Sequence, residues 1–276
     1  MTERLSDITA RIQGIRELGS VVNAMRGIAG ARAQQARSAL QAVELYSGSL
    51  SAAIGQALGF LPPEPAPPGA KGRILILFAG EQGFAGAFNE RMFDAARSHL
   101  DGVDLFLIGT RGEILAAERG IVVAWKAPMP AHPDSIPKLA NHIATELYRR
   151  IASGRIGGAE VLYARSATSA QSAHLFPLDP KRFKDPRRGN EPLLNLSPDV
   201  LLAELTEDYI YAQLCDAALH AFAAENEART EAMAAAHREI GRQLAGLESR
   251  QRIVRQDEIT AEIIELATGE AASQSR

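Results

Sequence analysis

The placement of proline constrains this chain more than any other feature. All 14 prolines lie between Pro62 and Pro198, so both ends lack the residue that breaks helices. Over Thr2–Leu58, apolar side chains recur at Leu5, Ile8, Ile12, Ile15, Leu18, Val22, Met25 and Ala29. Steps of three and four, with one irregular interval, are those of a coiled-coil stripe. Ala33, Ala36, Leu40, Val43, Leu50, Ile54 and Ala57 carry a looser version onward. At the usual rise per residue such a helix is about 85 Å long, far beyond a compact domain. It therefore has to pack on a second long helix. That helix is at the other end: Ser197-Pro198-Asp199 reads as a helix start, with serine at the N-cap, proline at N1 and an acid in the first turn. Its stripe runs through Leu201, Leu205, Tyr209, Ala217, Ala221, Ala224, Ala228, Ile240, Leu244, Leu247, Val254 and Ala261, and Gly269 ends it. Unbroken, it is about 105 Å long. Gly14, Gly19, Gly27 and Gly30 each cost about 1 kcal/mol of helix propensity and are read as close helix contacts or slight bends.

Between the arms, Leu61–Gly72 (LPPEPAPPGAKG) holds five prolines in twelve residues and reads as an extended linker. Arg73–Ala79 (RILILFA) is a short apolar run bounded by turn residues, a buried strand. Asn89–Leu100 looks helical, Asp104–Ile108 is a second strand, Arg111–Arg119 a short helix and Gly120–Trp125 a third strand. Asp134–Ala152 is a helix with Pro137 in its first turns, Glu160–Arg165 a fourth strand, and Pro177–Gly189 a surface loop. Strands alternating with helices imply a mainly parallel sheet covered on both faces. The expected fold is thus α/β: a long antiparallel two-helix coiled coil, with a Rossmann-like α/β domain inserted between its arms. The boundaries are 1–60 for the first arm, 61–72 for the linker, 73–196 for the α/β domain and 197–276 for the second arm.

Composition narrows the function. The net charge of −3 argues against a protein that binds nucleic acid through bulk basic charge. A single cysteine, Cys215, excludes an intrachain disulfide framework and a cysteine-rich zinc site. No run of about twenty apolar residues exists, and the charged N-terminus lacks the apolar core of a signal peptide, so a cytoplasmic setting is expected. Aromatic residues are only 5 %, while alanine is about one residue in six, which suits helices packed closely over a long distance.

The chemical motifs are weak. Gly80, Gly83 and Gly86 follow the first strand, where a phosphate loop would sit, but G-x-x-G-x-x-G is neither the dinucleotide fingerprint nor a Walker loop. Glu81 in that turn would repel phosphate. No cofactor is expected. The six histidines show no metal-ligand spacing, no G-x-S-x-G elbow occurs, and Cys215 reads as a small core residue. Glu248 pairs with Arg252 at helical spacing. No catalytic and no metal-binding residue is assigned. The first arm carries six arginines and no lysine. That pattern is either a solvated face or guanidinium groups presented to a partner's carboxylates.

With these residues in hand, the sequence resembles the gamma subunit of F-type ATP synthases, the central rotor shaft. The first arm is similar to the family's first helix at Ala24, Met25 and Ala29. Gly83–Asn89 (GFAGAFN) resembles G-L-C-G-G-F-N. Ala224–Met233 matches S-E-x-x-A-R-M-x-A-M at Glu225, Ala228, Arg229, Ala232 and Met233. RQDEITAEIIELATGEA resembles the family's C-terminal block at Arg255, Gln256, Ile259, Thr260, Glu262, Glu265 and Gly269. The chain departs from the family at Leu194–Pro198 (usually Y-E-P-S-P), at Arg252 (usually asparagine), at Ala85 (usually cysteine) and over His237–Gly241. The resemblance is thus to a divergent member of the family. The resemblance implies a non-catalytic, mechanical subunit, peripheral to the cytoplasmic face of the inner (plasma) membrane. The role it implies is to couple ion flow through a c-ring to ATP synthesis or hydrolysis in a hexamer of alpha and beta subunits, with an epsilon-like subunit alongside. It implies hexamer contacts at Met25, Arg26, Arg229, Arg255, Gln256 and Thr260, and c-ring contacts at Leu194 and Asn195. Two other classes compete with it: a homodimeric coiled-coil scaffold, and an enzyme acting through the α/β domain.

If the arms start level, with Leu58 beside Asp199, antiparallel packing pairs positions whose numbers add to about 257. Met25 and Arg26 then fall close to Arg229, and the second arm overhangs from about Asp257.

Overall fold

A computed structural model describes residues 4–61, 72–183 and 194–274, with the side chains of the last helix as far as Thr268. Helix α1 spans Leu5–Leu58 and helix α5 Pro198–Gln274. Between them lie β1 (Gly72–Phe78), α2 (Phe88–Ala96), β2 (Val103–Ile108), α3 (Thr110–Glu118), β3 (Trp125–Ala127), α4 (Ile136–Ala152), β4 (Ile156–Ser166) and β5 (Ser169–Phe176). Most of the linker expected at 61–72, and the surface loop beyond Phe183, lie outside the described residues. The chain divides into two compact units. The smaller is formed by residues up to Ile28 and from Glu231 onward, the larger by Ala29–Thr230.

In the larger unit the sheet order is β3-β2-β1-β4-β5, parallel except for the antiparallel β4–β5 pair. β1 is central, and its near-continuous apolar run reflects burial on both faces. Ile74, Ile76 and Phe78 face a core shared with Ala36 and Leu40 of α1, Ile136–Leu147 of α4 and Ile210–Ala223 of α5. Leu75 and Leu77 face the opposite core with Phe88, Met92 and Phe93 of α2, Ala116 of α3, and Ala224 and Ala228 of α5. Each fully buried aliphatic side chain contributes about 1.5–3 kcal/mol.

Two strands differ from the sequence reading. The third strand starts at Trp125, opposite Phe106, rather than spanning 120–125. Gly120 turns with φ 66° and Val122 is 86 % exposed, so the apolar Ile-Val-Val run lies in a connecting segment. β5 had no counterpart in the sequence reading. It is an edge strand whose residues alternate exposed and half-buried over 170–174 before the buried Leu175, and serine, glutamine and histidine give it no apolar run.

The α1 seam is more regular than its apolar residues indicated. Buried or half-buried positions run Ile8, Ile12, Ile15, Gly19, Val22, Arg26, Ala29, Ala33, Ala36, Leu40, Val43, Ser47, Leu50 and Ile54, an unbroken alternation of four and three. Leu18, counted into the stripe by its hydrophobicity, is instead 52 % exposed. Gly19 takes the seam position, and a Cβ there would meet Ile240 Cγ2 at 3.2 Å. Gly14, Gly27 and Gly30 meet nothing within 4 Å, so of the four glycines only Gly19 is a close helix contact.

The antiparallel register can be read within each unit. In the smaller one, Gln251 Nε2 donates to Thr9 Oγ1 at 2.9 Å and Arg16 pairs with Glu248 at 2.7 Å. Glu248 is thus engaged across the helix pair rather than with Arg252. In the larger one, Gln213 Nε2 donates to Ser47 Oγ at 2.9 Å, and Arg37 pairs with Glu227. These pairs add to 260 or 264, a few residues beyond the 257 expected.

Candidate functional site

Among the described residues, the charged or amide side chains that are buried are Glu225, Asn226 and Arg229, at 3 %, 3 % and 5 % exposure, all on α5. Burying charge is costly unless it is paired and hydrogen-bonded, and here every group is. Arg229 pairs with Glu225 one turn earlier, and its Nη1 donates to Asn226 Oδ1 at 2.9 Å. Asn226 Nδ2 in turn donates to the Phe222 carbonyl at 2.8 Å.

The remaining capacity goes to the turn after β1. The backbone N–H groups of Glu81 and Gln82 donate to the two Glu225 carboxylate oxygens at 3.1 and 3.0 Å. Arg229 Nε donates to the Gly83 carbonyl at 3.0 Å and Nη2 to the Gln82 carbonyl at 3.3 Å. The acid of α5 thus holds the amides of the turn, and the base holds its carbonyls. Charge-assisted bonds of this kind are about twice as strong as neutral ones.

The Glu81 side chain carries the connection onward. Its carboxylate accepts from Thr110 N at 2.9 Å, Thr110 Oγ1 at 2.8 Å and Met129 N at 2.9 Å. It therefore caps the start of α3 and fixes the segment after β3. Asn89 Oδ1 accepts from Gly80 N at 2.7 Å. Close approach here needs glycine. Gly109, with φ 111°, would place a Cβ 2.5 Å from the Ala79 carbonyl oxygen, and a Cβ on Gly112 would meet Ala79 Cβ at 2.4 Å. The turn ends at Phe84, a non-glycine residue with φ 63° and 68 % exposure.

The structure brings together two motifs that are far apart in sequence, Gly83–Asn89 and Ala224–Met233. It places Arg229 inside the larger unit with its donors committed within the chain. Met25 and Arg26 belong to the smaller unit, both half-buried, and Arg26 Nη2 donates to Asn23 Oδ1 at 2.9 Å. Arg255, Gln256 and Thr260 are exposed on α5, and Thr260 Oγ1 donates to the Gln256 carbonyl at 2.8 Å. Every residue of 255–268 is exposed, and Ile259, Ile263, Ile264 and Leu266 are each more than half exposed. Leu194 is half-buried and Asn195 exposed, just before α5.

Sequence reasoning missed Glu81 as a structural ligand and read it only as hostile to phosphate. It also missed Asp216 and His220, one turn apart on α5. Their side chains lie 3.7 Å apart, and the His220 ring stacks on Tyr163 at 5.8 Å. Burial raises the Asp216 carboxyl and lowers the His220 imidazole, each shift being toward the neutral form. Among the described residues no three His, Cys, Asp or Glu side chains group as a metal site would, and no helix is long and apolar enough to cross a membrane.

The sequence model of the family described as ATP synthase matches residues 4–272. The ATP synthase gamma chain of Chlorobium luteolum is 25 % identical over 294 residues, covering 98 % of this chain and 99 % of its own. Among solved structures, the Euglena gracilis mitochondrial ATP synthase (OSCP/F1/c-ring, rotational state 3) contains a chain with the same fold. Its TM-score is 0.65 at 12 % identity, covering 98 % of this chain and 95 % of that one. The rotor of the same organism's enzyme gives a TM-score of 0.58 at 13 % identity, over 92 % and 98 % of the two chains. With a family match spanning nearly its whole length, the chain belongs to the ATP synthase gamma family.

Proposed function

We propose that this gamma chain is the rotating element that couples ion flow through a membrane c-ring to ATP synthesis or hydrolysis in an alpha/beta hexamer. In this reading it has no catalytic site of its own; the chemistry belongs to its partners. It is peripheral to the membrane, at the cytoplasmic face of the inner (plasma) membrane. The observation that carries the reading is the bare C-terminal stretch of α5. A helix that leaves Ile259, Ile263, Ile264 and Leu266 in water needs an apolar collar to enclose it. Arg255, Gln256 and Thr260 are exposed where that stretch begins, and in this reading they bond beta-subunit loops. Met25 and Arg26 are assigned to the hexamer as well. Arg229 supports the contact from within, because its guanidinium is committed to the turn after β1. The α/β domain, residues 73–196, serves as the docking platform for the epsilon-like subunit and the c-ring, with Leu194 and Asn195 on the ring side.

The test is co-expression with the alpha and beta subunits of the same operon, followed by gel filtration and proton-pumping assays. Removing the chain from Arg255 onward should weaken hexamer assembly, whereas removing only the last few residues should have little effect. Normal assembly and pumping by the Arg255 truncation would refute the axle reading.

A further inference from the structure

In a doubly wound domain, the turn after the first strand is where backbone N–H groups converge on a bound phosphate. Here the amides of that turn meet a carboxylate of the chain itself. The consecutive amides of Glu81 and Gln82 point at one carboxylate, that of Glu225, which arrives from a helix 144 residues away in sequence. The Glu81 side chain is turned away from this point and spends its charge on Thr110 and Met129. The Glu81 carboxylate is thus held outside the point where the two amides meet Glu225. Arg229, 5 % exposed, adds its guanidinium on the same side.

We propose that the turn after β1 is an anion-binding nest whose ligand is built into the chain, and that once Glu225 is removed the nest takes a small free anion such as formate or phosphate. Three observations carry this. Two successive backbone amides converge on one anionic group, the arrangement that forms anion concavities. A buried guanidinium faces the same point and would be left without its carboxylate in a Glu225 variant, which favours uptake of a replacement anion. The carboxylate does not belong to the α/β segment that forms the nest, so occupancy of the nest ties the turn to α5. The nest thus serves as an internal joint between the turn and α5.

The test uses hydrogen exchange on the full-length chain, read on the peptide covering residues 79–88. In Glu225→Ala, this peptide should exchange at least about tenfold faster than in the parent, the factor that matches loss of a charge-assisted bond. Adding formate should slow it again, while chloride at equal ionic strength should not. Phosphate tested separately tells whether the nest takes the larger anion as well; slowing by formate alone or by both supports the proposal. In Glu225→Ala/Arg229→Met the rescue should be lost. Parent-like exchange in Glu225→Ala, or equal slowing by chloride and formate, would overturn the proposal. Should Glu225→Ala fail to fold, Glu225→Gln keeps the side-chain volume. It should then exchange faster without rescue, because the amide still fills the nest, and parent-like exchange in it would be equally fatal.

Discussion

Gly112→Ala is the substitution for which the structure gives the sharpest expectation. The added Cβ would lie 2.4 Å from Ala79 Cβ and 3.5 Å from Leu107 Cδ1. Ordinary carbon contacts lie near 3.5–4 Å, so α3 must retreat by about 1 Å from the end of β1. It is not free to do so. Arg111 N and Gly112 N both donate to the Gly80 carbonyl, at 3.0 and 3.2 Å, and Thr110 is held by Glu81. Overpacking of this kind costs about 1–3 kcal/mol, and a stretched hydrogen bond adds about 1 kcal/mol. Alanine returns about 1 kcal/mol of helix propensity, leaving a net loss of about 2 kcal/mol. The only tryptophan, Trp125, packs 5.1 Å from the Phe106 ring and reports unfolding of the same unit by fluorescence. With a urea slope of about 2 kcal/mol/M, the midpoint should fall by about 1 M. Gly30→Ala, in the same unit and with nothing within 4 Å, should move it upward. The pair Ala79→Gly/Gly112→Ala should recover most of the loss, because the clash is between those two atoms. An unchanged midpoint in Gly112→Ala, or no coupling between the two sites, would refute the close-packing account.

Two further expectations concern ionisable groups. Arg149 and then Arg150 hold the Glu146 carboxyl at about 2, below its ordinary 4.5, so the stability it adds is present above 4.5 and disappears as the pH falls through about 2; denaturant midpoints across that window should converge for the parent and Glu146→Gln. Burial pushes the Cys215 thiol up to about 11, so the native protein should resist a thiol reagent at neutral pH and react promptly once unfolded, and rapid native labelling would contradict the packing of α5.

Much of the scaffold is legible in the sequence because its signals are local. The absence of proline at both ends, the step of three and four, and the Ser197-Pro198-Asp199 start suffice for α1 and α5. The apolar runs at 73–79 and 104–108 suffice for β1 and β2, which are buried on both faces. The misreadings share a cause. Val122 is apolar and exposed, Leu18 is apolar and outside the seam, and β5 is polar and yet paired, so hydrophobicity alone misassigns each. Conversely, Gly19, Arg26 and Ser47 occupy seam positions that no apolar count would give them.

The candidate site divides in the same way. Two family-like motifs, Gly83–Asn89 and Ala224–Met233, were visible as separate strings, and each residue type hinted at function. Their meeting was not visible, because a hydrogen bond between Gln82 N and Glu225 spans 143 residues and leaves no trace in local spacing. The sequence by itself determined the helices, the order of most elements, the antiparallel register to within a few residues and the family. Those depend on periodicity, propensity and motif content along the chain. Tertiary structure alone decided which face of each element is buried, that Glu81 caps α3, and that Arg229 is engaged inside the chain. Those depend on which groups desolvate together, and only the packed fold brings them within bonding distance.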